Sequence, residues 1–71
     1  MKRSDYLKEV VSQLPKQPGI YQYYDNSGKL LYVGKAKNIK KRVASYFNKK
    51  HTHAKTRIMV KKIHDINTIV V

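Results

Sequence analysis

The chain has 71 residues, no cysteine, and 16 Lys and Arg against 4 Asp and Glu, which gives a formal net charge of +12. This length allows one small domain and is too short for a deep substrate cavity. The lack of cysteine excludes disulfides, a thiolate nucleophile and thiolate-bound zinc, and it fits a reducing compartment. The chain contains no run of about 18 apolar residues, which would be needed to cross a bilayer. We therefore predict a soluble, cytoplasmic protein without a membrane partner.

The first predicted element is an amphipathic helix that ends before Pro15. Ser4 is a candidate N-cap, and apolar residues recur after it at spacings of three and four. The segment from Pro15 to Pro18 is a rigid connection that leads into an extended strand. The inner positions of this helix are Tyr6 or Leu7, Val10, Val11 and Leu14.

A β-hairpin follows, with strands Ile20–Tyr24 and Leu30–Val33 around a turn at Asp25–Gly28. Both strands are rich in aromatic and branched residues, and the segment between them contains the residues that turns prefer. The loop length decides which side chains share a face, because successive strand residues point to opposite faces.

Two hairpin registers are open. A two-residue turn at Ser27 and Gly28 would pair Tyr23 with Tyr32 and Tyr21 with Gly34, so that the three tyrosines cluster. A loop one residue longer would place Tyr32 on the opposite face.

Two helices and a strand complete the predicted order. The second predicted helix, Ile39–Phe47, has Asn38 as N-cap, and the third, Ala54–Ile63, has Ile58, Met59 and Ile63 facing inward. The strand Ile66–Val71 reaches the last residue, where its unpaired edge would normally be covered, and we therefore expect the chain to be a fragment. The order helix, strand, strand, helix, helix, strand predicts a small α+β domain.

The positive charge is concentrated in one part of the chain. No acidic residue occurs from Asn26 to His64, and this stretch holds twelve of the sixteen basic residues. A nucleic-acid phosphate backbone is the counterpart that such clustering favours. A basic surface that only maintains solubility, an anionic membrane or an acidic protein would also fit the charge.

Several side chains are candidates for an anion site above the hairpin. Lys35 lies near the start of the predicted second helix, and Arg42 and Tyr46 lie four residues apart on one face of it. If the tyrosines cluster, Tyr21, Tyr32 and Tyr46 converge with these two cations. A phenol near two cations is expected to lose its proton more easily.

The histidines and serines offer weaker chemistry. Three histidines without a nearby carboxylate make a poor metal site, so we interpret His51, His53 and His64 as loop and surface residues near the basic patch. No serine lies in the context of a nucleophile elbow.

Gly19-Ile20-Tyr21 and Tyr32-Val33-Gly34 resemble the two halves of the GIY-YIG nuclease motif, and the continuation from Lys35 to Phe47 resembles the UvrC-type branch of that family. The resemblance implies a three-stranded antiparallel sheet flanked by helices, a divalent cation (Mg or Mn), and hydrolysis of a DNA phosphodiester. For this branch it also implies damaged double-stranded DNA as substrate, incision on the 3′ side of a lesion in bacterial nucleotide excision repair, and UvrB as partner.

By matching position, the resemblance implies a role for each of five residues. Tyr32 would be the general base or its relay, and Tyr21 would orient the attacking water. Arg42 would stabilise charge on the scissile phosphate, assisted by Lys35, and Tyr46 would form a hydrogen bond nearby. We further expect DNA contacts from the basic cluster, namely Lys35, Lys37, Lys40, Lys41, Arg42, Lys49 and Lys50.

The metal-binding glutamate of the family follows the strand at which this chain stops, so residues 1–71 would be an incomplete nuclease domain without a metal ligand. We therefore expect no tightly bound cation and weak or absent cleavage by the isolated chain. The leading alternative is a non-catalytic, basic nucleic-acid-binding module of the same fold, and a protein-interaction fragment is a third class.

Overall fold

The two hairpin strands and the last strand form one antiparallel sheet. This is seen in a computed structural model, which describes residues 2–48 and 50–71 and also contains three helices in those residues. The strand order is β2-β1-β3, so β1 is central and pairs with both neighbours in antiparallel fashion. This arrangement confirms the predicted α+β class and the three-stranded antiparallel sheet. The elements in chain order are α1 (Arg3–Ser12), β1 (Gly19–Tyr24), β2 (Leu30–Ala36), α2 (Ile39–Asn48), α3 (Ala54–Lys62) and β3 (Asp65–Val70).

Helix α1 begins at Arg3, and the prediction that Ser4 caps it is wrong. Lys2 is the N-cap residue and makes no side-chain cap bond, while Ser4 lies inside the first turn. The guanidinium of Arg3 instead donates hydrogen bonds to the carbonyl oxygens of Val60 at 2.7 Å and Ile63 at 2.6 Å. Because the last carbonyls of a helix have no donor within the helix, Arg3 caps the end of α3 and ties α1 to it.

The hairpin has the tyrosine register expected for the two-residue turn, although it contains the longer loop. Asp25 N donates to Lys29 O at 2.9 Å and Gly28 N donates to Asp25 O at 3.1 Å, so the loop is one residue longer than the two-residue turn. Gly28 has a φ of 83°, which a glycine adopts without strain. The longer loop does not reverse the faces because β2 contains an extra residue, Leu31.

The register on either side of Leu31 shows how the two changes cancel. Tyr24 pairs with Leu30, whereas Tyr23 pairs with Tyr32 and Tyr21 pairs with Gly34. A bulge of this kind puts two residues opposite one and shifts the alternation by one position. The three tyrosines therefore lie on the same face, as the shorter turn would have placed them.

The sheet has one face that packs on the helices and one that does not. We call them the helix-facing face, to which Gly19, Tyr21, Tyr23 and Ile66 belong, and the open face. On the open face, Val33 and Ile69 are 46% and 48% exposed. The open face consists of Ile20, Gln22, Tyr24, Leu30, Val33, Lys35, Asp65, Asn67 and Ile69.

The core lies between the helix-facing face and the helices. Tyr21, Tyr23, Ile39, Val43 and Ile63 are almost fully buried there. Gly19 is required at the start of β1, since a Cβ at this position would overlap the carbonyl oxygen of Ile69 and the side chain of Ile39.

Helix α3 contacts this core through a different stripe from the predicted one. Ile63 is buried and Met59 packs against the core, as predicted, but Ile58 is 53% exposed. Val60 takes the inward place instead. Ile58 was assigned from its hydrophobicity, which does not decide the direction in which a short helix presents it. Within the described residues, no helix is long and apolar enough to cross a membrane.

Candidate active site

A cluster of four tyrosines lies where the hairpin meets α2. Tyr21 and Tyr32 project from the helix-facing face, and Tyr46 joins them from α2. The ring centroids are 6.2 Å apart for Tyr21 and Tyr32, 6.0 Å for Tyr21 and Tyr46, and 6.4 Å for Tyr32 and Tyr46. Tyr23 lies beneath them, 5.3 Å from Tyr21 and from Tyr46. These tilted and edge-on geometries are favourable for aromatic pairs, so the structure brings together the three tyrosines that the sequence singled out.

Gly34 provides the space that Tyr21 occupies. Tyr21 and Gly34 are cross-strand partners, and a Cβ at Gly34 would overlap Cζ and the hydroxyl oxygen of Tyr21. The phenol ring of Tyr21 therefore lies across the glycine, with its hydroxyl directed toward Tyr46 of α2. This contact gives a physical reason for a glycine in the second triplet of the motif.

The hydroxyl groups of the cluster have different access to solvent. The hydroxyl oxygens of Tyr21 and Tyr46 are 3.3 Å apart, and Tyr21 is only 1% exposed. Tyr32 is 41% exposed. Of the hairpin tyrosines in the cluster, Tyr32 is therefore the one that can meet a substrate directly, while Tyr21 acts on Tyr46.

Arg42 lies one turn before Tyr46 on α2, and its guanidinium carbon is 5.5 Å from the centroid of the Tyr46 ring. This is a cation–π distance. The phenols of Tyr21 and Tyr46 raise the pKa of the Arg42 guanidinium further above its ordinary value. Arg42 is exposed and stays charged, so its positive charge is available to an anion above the tyrosines.

Two tyrosines of the cluster, Tyr23 and Tyr46, hold their protons more firmly than expected. Burial raises the pKa of Tyr46, and the hydrogen bond with Tyr21 raises it further, while Arg42 lowers it by a smaller amount. Burial also raises the pKa of Tyr23. The expectation that nearby cations would ease proton loss is wrong for Tyr46, because desolvation disfavours a phenolate more than the arginine favours it.

A hollow lies beside the cluster at the start of α2. It has a volume of about 580 Å³, and Lys35, Lys37, Lys41 and Arg42 line it. Asn38 accepts a hydrogen bond from the backbone N–H of Lys41 at 3.0 Å, which confirms it as the N-cap of α2.

The basic residues that were predicted to contact DNA do not all lie at the hollow. Lys35 pairs with Ile20, so it leaves the strand on the open face rather than among the tyrosines, yet it reaches the hollow that Arg42 also lines. Lys40 lies on another side of α2 and donates a hydrogen bond to Ser12 O at 2.9 Å. Lys50 is exposed, and Lys49 lies outside the described residues.

Tyr23 of the cluster and His51 beside it were not singled out as site residues. For Tyr23, its spacing of two from Tyr21 on a strand is the signal that places both on one face. His51 was interpreted as a surface residue, but it is half-buried, and its Nε2 lies 2.6 Å from Tyr46 O. No periodic pattern links a loop histidine to the preceding helix, so its contact could not be predicted.

In the part of the chain that the structure describes, no acidic residue lines the hollows that Arg42 borders beside the tyrosine cluster. Asp25 and Asp65 line a hollow at the hairpin turn, and Asp5 and Glu9 are on α1. In the ranges 2–48 and 50–71, no group of three His, Asp or Glu side chains could hold a metal ion. Because Mg²⁺ and similar hard cations require oxygen ligands, mainly carboxylates, the side chains present do not fit such an ion.

Comparison with known proteins gives three related findings. A protein-family profile described as the UvrC-like GIY-YIG domain matches residues 17–71. UvrABC system protein C of Bacteroides fragilis is 59% identical over 71 residues, which are 100% of this chain and 12% of that protein. The corresponding protein of Flavobacterium johnsoniae is 69% identical over 58 residues, which are 82% of this chain and 10% of that protein.

A solved structure matches over the whole chain. It is the crystal structure of the GIY-YIG N-terminal endonuclease domain of UvrC from Thermotoga maritima, bound to its catalytic divalent cation, magnesium. The TM-score is 0.78 at 30% sequence identity, and the match covers 100% of this chain and 74% of that one. This chain thus spans about one eighth of the curated relatives and about three quarters of the solved domain.

Proposed function

This chain belongs to the UvrC-like GIY-YIG domain family, and we propose that it forms the greater part of a DNA endonuclease domain that hydrolyses a phosphodiester on the 3′ side of a lesion. Its substrate would be damaged double-stranded DNA in bacterial nucleotide excision repair, in the cytoplasm. UvrB would be its partner within the longer protein. The observation that carries the proposal is the convergence of Tyr21, Tyr32 and Tyr46 beside Arg42.

The charge and exposure of these side chains support distinct roles. Arg42 lies over Tyr46 with its charge exposed, so it would stabilise the negative charge that develops on the scissile phosphate. Tyr32 reaches solvent and would take or relay the proton of the attacking water. Tyr21 is buried against Tyr46, so its hydroxyl would help to orient the attacking water through the hydroxyl of Tyr46.

The hollow beside the cluster would hold the neighbouring DNA backbone. Lys35, Lys37, Lys41 and Arg42 line it at the start of α2, where backbone N–H groups also favour an anion. Lys35 would assist Arg42 from this side. Lys50 would extend the contact along the DNA, and we keep Lys49 in the proposed contact set on its charge alone.

The metal requirement of the relatives points to ligands outside this chain. The solved relative binds a catalytic magnesium ion, whereas the described side chains here do not fit one. We therefore keep the proposal that residues 1–71 are an incomplete nuclease domain whose carboxylate ligand for Mg or Mn follows β3. The chain alone would then bind the cation weakly and cleave DNA weakly or not at all.

Two matched proteins test this proposal. The first is the present chain, and the second, the extended chain, is lengthened along its gene to the size of the solved domain, of which the present chain covers 74%. Nicking of damaged duplex DNA is measured with Mg²⁺, with Mn²⁺ and with chelator. We expect cleavage that depends on the cation only in the extended chain. Equally strong cleavage by both proteins would contradict the missing-ligand account.

A pair of variants assigns the activity to the cluster. In the extended chain, Arg42→Ala should reduce the cleavage rate by roughly 10²- to 10³-fold, the usual cost of removing one transition-state donor. Lys40→Ala is the matched control, because Lys40 lies on the same helix but is bound to Ser12 O. Equal effects of the two substitutions would contradict a catalytic role for Arg42.

The second candidate function is a non-catalytic nucleic-acid-binding module. It is favoured by one observation, namely the lack of a carboxylate cluster within the described residues. Such a module would bind DNA with an affinity that falls steeply with salt, as a nuclease also would. Salt-dependent binding without any cleavage by the extended chain would favour this function, and salt-insensitive or absent binding would favour a protein-interaction fragment.

A further inference from the structure

His51 lies in the loop between α2 and α3, and its imidazole is fixed on Tyr46 by two contacts. Its Nε2 is 2.6 Å from the backbone carbonyl oxygen of Tyr46. The centroid of its ring is 5.9 Å from the centroid of the Tyr46 ring, at an interplanar angle of 37°. Both the main chain and the side chain of Tyr46 are therefore in contact with the same histidine.

The hydrogen bond determines which nitrogen of His51 carries a proton. A carbonyl oxygen only accepts hydrogen bonds, so Nε2 must be the donor, and the neutral ring is the Nε2–H tautomer. Tyr46 is in the last turn of α2, which ends at Asn48, and carbonyls in that turn lack donors within the helix. His51 thus caps the helix end at the residue that carries the phenol.

The position of Tyr46 matters for its neighbours in the cluster. Its hydroxyl is 3.3 Å from that of Tyr21, and its ring lies under the Arg42 guanidinium. A change in the last turn of α2 would move the Tyr46 ring away from both. His51 also lines a cavity of about 250 Å³ together with Arg42, Ser45, Tyr46 and Thr56, so it borders the same site without belonging to the tyrosine cluster.

We propose that His51 is a positioning residue for the nuclease site, which holds Tyr46 against Tyr21 and under Arg42. This inference rests on the proposed function for its effect on cleavage, but its structural part does not. His51 acts through the Nε2–H bond to the helix end and through packing of its ring. It does not need to touch the DNA.

Two substitutions separate these contributions. In His51→Gln, the side-chain amide nitrogen can occupy the place of Nε2 and donate to Tyr46 O, whereas His51→Ala removes the donor and the ring. His53→Ala is the matched control, because His53 lies in the same loop and is exposed. All comparisons are made at a temperature at which thermal denaturation shows each variant to be folded.

The first readout needs no DNA and no metal. In the present chain, ¹⁵N NMR of the imidazole should show a protonated Nε2 on His51. The ring resonances of Tyr46 should shift in His51→Ala, stay close to the wild-type positions in His51→Gln, and be unaffected by His53→Ala. An Nε2 without a proton, or Tyr46 resonances that His51→Ala leaves unchanged, would overturn the proposal.

The second readout uses the extended chain and damaged duplex DNA. We expect His51→Ala to lower kcat by about 10- to 100-fold with little change in KM, the usual cost of displacing a reacting group by about 1 Å. His51→Gln should recover most of the loss. A raised KM with unchanged kcat would identify a DNA contact and overturn the positioning role. If the wild type does not cleave but the NMR results hold, the proposed function fails while the contact of His51 with Tyr46 stands.

Discussion

The two faces of the sheet are built from alternate residues of the same strands, yet they have opposite properties. On the helix-facing face, Tyr21 and Tyr23 are 1% and 0% exposed and join Tyr46 of α2 in one aromatic cluster. On the open face, Val33 and Ile69 remain about half exposed. A step of one residue along a strand therefore separates a packed candidate site from a half-exposed surface.

This difference shows that the motif is a packing device as well as a set of chemical groups. Gly34 lies under the phenol of Tyr21, and Gly19 admits the Ile69 carbonyl and the Ile39 side chain. Gly34 thus allows the close approach that positions Tyr21 on the helix-facing face, and Gly19 allows β3 and α2 to come close to the start of β1. Substitutions at adjacent positions on the two faces test this account.

The largest expected contrast is between Tyr21→Ala and Gln22→Ala. Removing the buried Tyr21 ring should lower the free energy of unfolding by about 3–5 kcal/mol, as for other large aromatic residues in cores. Gln22 shares an exposed hydrogen bond with Asn67, so its loss should cost about 0.5 kcal/mol. Urea denaturation of both variants measures the contrast, and similar losses would show that the two faces are not distinct in packing.

The next contrast is between Gly34→Ala and Val33→Ala. The added methyl group overlaps the buried Tyr21 ring, which cannot move freely, so we expect a loss of about 1–3 kcal/mol from overpacking. Val33→Ala removes methyl groups from a side chain that is 46% exposed and should cost less. The midpoints of thermal unfolding compare the two, and an equal or larger loss for Val33→Ala would contradict the assigned role of Gly34.

A smaller and opposite effect distinguishes Tyr23→Phe from Tyr21→Phe. Within the described residues, the buried hydroxyl of Tyr23 has no hydrogen-bond partner, whereas that of Tyr21 contacts Tyr46. An unsatisfied buried hydroxyl is costly, so Tyr23→Phe should stabilise the fold by about 1 kcal/mol and Tyr21→Phe should destabilise it by a similar amount. Chemical denaturation provides the measurement, and destabilisation by Tyr23→Phe would reveal a partner for its hydroxyl.

The smallest effect concerns the turn that joins the two hairpin strands. Hydrogen bonds from the Ser27 hydroxyl and then from the Lys29 backbone N–H lower the pKa of Asp25. The folded pKa lies below the unfolded one, so the stabilisation is complete above about pH 4 and disappears as the pH falls through the folded pKa.

Asp25→Asn should therefore flatten the decline of stability in acid, because it removes the titrating carboxylate. Ser27→Ala removes the first cause of the shift and should act in the same direction. Thermal unfolding between pH 2 and pH 6 measures both slopes, at roughly the range over which carboxylates titrate. An unchanged acid slope in Asp25→Asn would show that Asp25 does not contribute.

Much of the fold could be predicted because its signals are local. Strand composition, turn residues and the Asn38 cap predicted the elements, and the structure confirms their boundaries within a few residues. The loop length was left open, and so was the register, because the longer loop and the extra residue Leu31 cancel each other. Such compensation depends on backbone geometry that no local sequence pattern encodes.

The site divides in the same way. Tyr21, Tyr32, Tyr46 and Arg42 could be brought together from strand alternation and helical spacing. The raised pKa of Tyr46 could not be predicted, because burial outweighs the nearby cation and the sequence does not show how deeply the ring is buried. The contact of His51 with Tyr46 depends on the path of a loop and was missed for the same reason.

The most direct test of the central claim compares two tyrosines that differ mainly in the face they occupy. Tyr32 lies on the helix-facing face, and Tyr24 lies on the open face, where its hydroxyl makes a long contact of 3.4 Å with Gln22. Single-turnover cleavage of damaged duplex DNA is measured for Tyr32→Phe and Tyr24→Phe in the extended chain. We predict a fall of about 10²- to 10⁴-fold for Tyr32→Phe, as for loss of a general base, and an unchanged rate for Tyr24→Phe. Equal rates for the two variants would contradict an active site on the helix-facing face.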